Sequence, residues 1–123
     1  MPLDCRKASL RSSAAQWNLD ALVGVEGGDL LPCFFSVVPT YGTFQTVSGD
    51  AGEKLIRALA AELGPPSSAP QVVKGGSCGG EEEDAEFAFT GAMISVTWEF
   101  PRDGRAAFLD GVKAAFGPCE GLA

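Results

Sequence analysis

Residues 33–66 read CFFSVVPTYGTFQTVSGDAGEKLIRALAAELGPP. Cys33 to Val38 is apolar on both faces apart from Ser36, the pattern of a buried, central strand. Pro39-Thr40-Tyr41-Gly42 is turn chemistry. Thr43 to Val47, rich in Thr and carrying Phe44, fits a short second strand. Asp50 then reads as an N-cap, and Glu53 three residues on completes a capping box with Asp in the Ser/Thr place. Leu55, Ile56, Leu59 and Leu63 form one stripe of a 3.6-residue period. Gly64 stands where a helix C′ residue would, and Pro65-Pro66 forbids continuation. The stretch therefore predicts strand, turn, strand and a helix over 50–63.

Upstream, Ala15, Trp17, Leu19, Ala21, Val23 and Val25 alternate with mostly polar residues, Leu22 being the exception. That is period two, a half-buried strand. Gly27-Gly28 marks a turn. Leu3 to Ser13 fits either an extra edge strand or a loose arm.

Downstream, Gln71 to Lys74 predicts a short strand. Gly75 to Asp84, glycine-rich and then acidic, predicts a flexible, solvated loop. From Ala85 to Phe100 strand character returns. Phe87 and Phe89 share one parity, while Ile94, Val96, Trp98 and Phe100 share the other. The slip across Thr90-Gly91-Ala92 implies a tight hairpin or a bulge. Asp103 after Pro101 reads as the cap of a second helix over 103–116, with Phe108, Leu109, Val112 and Phe116 as its stripe. A shift of 53 places Asp50 on Asp103, Leu59 on Val112 and Gly64-Pro65 on Gly117-Pro118, which suggests a strand–strand–helix pseudo-repeat.

The expected fold is α+β: a single antiparallel sheet of about five or six strands, with two helices (50–63 and 103–116) packed on one face. With 123 residues, 46 % of them apolar, and eight Phe and two Trp to fill a core, residues 1–123 are expected to form one domain.

Sixteen acidic residues against nine basic ones leave a formal charge of −7. Affinity for nucleic acid comes from Lys and Arg on phosphates, so nucleic acid is not an expected partner, and neither is an anionic membrane surface. A protein partner with a basic surface is favoured instead. The run Glu81, Glu82, Glu83, Asp84 is the candidate partner-binding segment. Self-association as a homodimer is also compatible with the composition. Leu30 to Val38 is far too short an apolar run to span a bilayer, and residues 1–13 hold no apolar leader core, so a cytoplasmic location is expected.

The chain has no His. A Ser–His or Cys–His nucleophile therefore cannot form within it. Four consecutive carboxylates on a mobile loop do not offer the fixed separation that carboxylate catalysis needs. Lys74 to Gly80 has a glycine-rich composition without the order of a phosphate-binding loop. Cys5, Cys33, Cys78 and Cys119 lack the close pairs of a zinc site, and without a secretory leader they are expected to be free thiols. No catalytic residue, cofactor or metal is expected. The composition points to a non-enzymatic acidic protein-interaction module, such as an adaptor, an assembly or chaperone subunit, or an immunity-type inhibitor. The alternative is a small-molecule-binding domain with an apolar cleft between sheet and helices, for which Trp17 and Trp98 are the candidate lining residues.

Overall fold

The structure, a computed structural model, describes residues 3–24, 30–78 and 89–116. It is α+β, with one open antiparallel sheet and two helices. In chain order the elements are β1 (Asp4–Ser12), β2 (Trp17–Gly24), β3 (Leu30–Val38), β4 (Tyr41–Val47), α1 (Asp50–Leu63), β5 (Gln71–Cys78), β6 (Phe89–Glu99) and α2 (Arg105–Phe116). The sheet order of these six strands is β1-β2-β3-β4-β6-β5.

Register sets up the core. Leu19, Phe35, Phe44 and Val96 stand directly opposite one another across four strands, and all four are almost wholly removed from solvent. The neighbouring row is Trp17, Val37, Gly42 and Trp98. Helix α2 meets these rows through aromatic rings. Phe108 lies 6.0 Å from Phe35 and 4.5 Å from Phe100, and Phe116 lies 6.4 Å from Phe44. Gly42 makes room for this packing: a Cβ there would stand 2.6 Å from the Phe108 ring. Helix α1 lies against α2, where a Cβ on Gly111 would come within 2.8 Å of Leu63. The Trp98 indole donates to the carbonyl of Gly64 at 2.8 Å, joining β6 to the end of α1. Each fully buried Phe or Leu contributes about 1.5–3 kcal/mol by leaving water.

The β3–β4 turn closes through Pro39-Thr40, with Val38 opposite Tyr41. Helix α1 spans 50–63 as expected, and Gly64 ends it with φ 87°, a left-handed value that glycine adopts without strain. Its start differs from the expected capping box. Gly49 is the N-cap, no side chain caps the first turn, and the Glu53 N–H donates to the Gly49 carbonyl instead. The second helix also starts later than expected. Arg102–Gly104 form a 3₁₀ turn after Pro101, and α2 begins at Arg105, so Asp103 is not its cap.

Leu3 to Ser13 is resolved in favour of an edge strand, β1. Residues 75–78, expected in a loop, continue β5. No hairpin breaks residues 90–92: β6 runs through them, and the irregularity is an extra residue on β5 between Val73 and Gly76. The strand–strand–helix order recurs as β3-β4-α1 and β5-β6-α2. The 53-residue shift, however, would place the Pro39-Thr40 turn on Ala92-Met93, inside β6. Cys33 is wholly buried in the core. Cys5 is disulfide-bonded, which corrects the expectation of free thiols for that residue. Cys119 lies outside the described residues. No described helix is long and apolar enough to cross a membrane.

Candidate functional site

Alternate strand positions build a second face, and its composition differs from that of the first. Register aligns Arg11, Asn18, Ser36, Thr43 and Thr97 in one row across five strands. Adjacent strands are about 4.8 Å apart, so the row is about 19 Å long. Four of these side chains are half-buried and Arg11 is exposed. The next row carries Asp20, Phe34, Gln45 and Ser95. Tyr41, 46 % exposed, stands beyond Thr43 at the rim.

Hydrogen bonds hold much of this face in place. The Gln16 amide donates to Asn18 Oδ1 at 3.0 Å and to Ser36 Oγ at 3.2 Å. The hydroxyls of Thr43 and Thr97 lie 3.2 Å apart across β4 and β6. Arg11 donates to Asp20 Oδ2 at 2.6 Å, reaching diagonally from β1 to β2. The two partners are unequally placed, since the Asp20 side chain is 6 % exposed and the Arg11 side chain 47 %. The guanidinium head that bonds the buried carboxylate stays partly in water, which limits the desolvation that a buried pair suffers. At the rim of β1, Arg6 donates to Asp4 at 2.6 Å. That hydrogen bond holds the Asp4 carboxyl below its ordinary value.

Beside the β1–β2 turn is a notch of about 130 Å³ lined by Arg11, Ser12, Ser13, Gln16 and Asn18. Sites for drug-sized ligands run to about 300–1,000 Å³. The notch can take a side chain or a few waters, and little more.

Trp17 and Trp98 lie on the opposite face, buried at 5 % and 2 % exposure. Both meet Phe35, whose ring centroid is 6.5 Å from that of Trp17 and 6.0 Å from that of Trp98. The structure thus brings the two together through a shared core phenylalanine. Glu81, Glu82, Glu83 and Asp84 lie outside the described residues. Among the described residues, no group of three or more Cys, Asp and Glu side chains is placed to hold a metal ion.

Sequence reasoning missed the hydrogen-bonding row. Its members come from separate strands at unrelated spacings, and only pairing register lines them up. The available signal was the polar half of each alternation, visible in Asn18, Ser36, Thr43 and Thr97. No protein-family model, curated protein sequence or solved structure matches this chain.

Proposed function

We propose that this chain is a non-enzymatic protein-interaction module that docks a protein partner on the second face of its sheet. The observation that carries the reading is the pre-ordered row Asn18–Ser36–Thr43–Thr97, a strip of donors and acceptors flanked by Phe34 and Tyr41. Interfaces favour this mixture of aromatic contact area and polar groups that need little further ordering. Three rows of the face cover roughly 19 Å by 20 Å, or about 400 Å², which is half of the ~800 Å² per partner of a standard interface. The complex is therefore expected to be transient unless the edges of the sheet also take part. The net charge of −7 favours a basic partner surface, and the acidic run at 81–84 supplies part of the attraction. A small-molecule reading has less support, because the described notch is small and Phe35 stands between the two tryptophans.

Gentle purification from the natural host followed by native mass spectrometry tests the proposal. The expected result is a second polypeptide, whose affinity drops at least tenfold when Thr43→Lys and Thr97→Lys are combined. A stoichiometric extra mass of a few hundred daltons and no second polypeptide would replace this reading with the small-molecule one.

A further inference from the structure

The turn between β1 and β2 builds a small polar recess. The Ser13 N–H donates to the Gln16 carbonyl at 2.7 Å and closes the turn. Beside it lies the notch of about 130 Å³ lined by Arg11, Ser12, Ser13, Gln16 and Asn18. Every lining residue is polar, one is a cation and none is an acid. Their side chains are also held in place. The Asp20 carboxylate, 6 % exposed, accepts from Arg11 Nη2 at 2.6 Å. A guanidinium carries five N–H donors along the edges of one plane, more than one carboxylate oxygen takes up. Gln16 Nε2 donates to Asn18 Oδ1 and to Ser36 Oγ, which uses both of its hydrogens. With its oxygen engaged in this way, the Asn18 side chain has two N–H donors to offer a ligand.

We infer that this notch is a binding site for a carboxylate group. Its guanidinium, amide and hydroxyl donors outnumber its acceptors, so it suits an oxygen ligand that brings no hydrogens of its own. A carboxylate is planar and matches the fork of an arginine, and hydrogen bonds to it are charge-assisted. The volume holds a carboxylate and the first carbons behind it, well short of a drug-sized molecule. Phosphate fits less well. It brings a charge of about −1.5 to −2 towards a chain already at −7, and Asp20 already balances Arg11. Two sources present the favoured group: a free small acid, and the end of an Asp or Glu side chain on a peptide. The inference stands apart from docking on the second face, because a small carboxylate reads the notch with no partner present.

The experiment titrates the full chain with sodium acetate at fixed ionic strength and follows its N–H signals by two-dimensional NMR. The expected result is a saturable shift of the Asn18 and Gln16 side-chain amides and the Arg11 guanidinium, with a Kd of roughly 1–10 mM, since acetate has few atoms with which to bind. Acetamide has the same shape without the charge and should bind at least tenfold more weakly, and inorganic phosphate should bind no more tightly than acetate. Asn18→Asp keeps the acceptor for Gln16 but puts a like charge in the notch, and should abolish the saturable shift. Arg6→Gln removes a β1 cation outside the notch and should leave acetate binding unchanged. If Asn18→Asp fails to fold, the comparison of acetate with acetamide on the unaltered chain decides alone. Capped aspartate and glutamate amides separate the two sources. Binding as tight as that of acetate assigns the notch to a peptide side chain, and binding of acetate alone assigns it to a free acid. Shifts that do not saturate, acetamide matching acetate, phosphate exceeding it, or an Asn18→Asp protein that binds acetate as well as the unaltered chain overturns the inference.

Discussion

Three residues carry the packing argument most sharply. Thr46 is fully buried on the core face, and its hydroxyl donates to the Pro32 carbonyl at 2.9 Å. Thr46→Val keeps the shape and deletes that donor, so it should destabilise the protein by about 1 kcal/mol in urea titration. Gly42 is the contact point of β4 with Phe108 and Phe35. Gly42→Ala should cost about 1–3 kcal/mol by overpacking, and adding Phe108→Leu should recover part of that loss, a coupling readable in a double-mutant cycle. Arg11 shields Asp20, and Arg11→Ala should destabilise by up to about 3 kcal/mol, with Arg11→Lys less damaging. The Asp4–Arg6 pair differs, because both side chains are more than half exposed. The depressed Asp4 carboxyl favours the fold above its unfolded value of 3.8, and that benefit is lost as pH falls through the lower folded value. Since solvent screens the pair, Arg6→Ala should leave the melting midpoint nearly unchanged at neutral pH.

At the scale of elements, legibility followed how cleanly each strand or helix kept its period. Helix α1 was readable to the residue because its stripe and its Gly64-Pro65 stop agree. Strand β1 was not readable because its pattern changes phase. Leu3 and Cys5 are buried at odd positions, Ala8 and Leu10 pack inward at even ones, and the irregularity between Cys5 and Lys7 accounts for the slip. Composition hid the far half of β5, since Gly75, Gly76 and Ser77 look like a loop while ladder pairing makes them a strand. The capping-box expectation failed because the chain places a glycine, φ 123°, before Asp50. One close approach fixes the entry to α1: a Cβ on Gly52 would collide with the Val47 carbonyl. Gly52→Ala should therefore destabilise by about 3 kcal/mol, although alanine is the better helix former by about 1 kcal/mol. Equilibrium unfolding gives the sign directly, and a stabilised variant would mean that α1 does not sit this close to β4.

For the whole molecule, charge and shape act over different ranges. A charge of −7 acts over about a Debye length, roughly 8 Å at physiological salt, and on the proposed reading would govern how fast a basic partner arrives. On the proposed reading, the second face would act only in contact and would govern how long the partner stays. Replacing Glu81, Glu82 and Glu83 with Lys should slow association several-fold at low salt and change dissociation little, while Thr43→Lys should do the reverse. Stopped-flow traces at two ionic strengths separate the two effects. The composition carried the first of these arguments unaided. The second required the register of five strands, which no single stretch of the chain contains.

The docking face is tested most directly by hydroxyl-radical footprinting of the complex isolated from the natural host, read at single residues by mass spectrometry. Phe34 and Tyr41 report on the second face, and Val72, 61 % exposed on β5, reports on the rest of the surface. Partner binding is predicted to suppress oxidation at Phe34 and Tyr41 and leave Val72 unchanged. Full reactivity at Phe34 and Tyr41 in the bound state, with protection elsewhere, would contradict docking on this face.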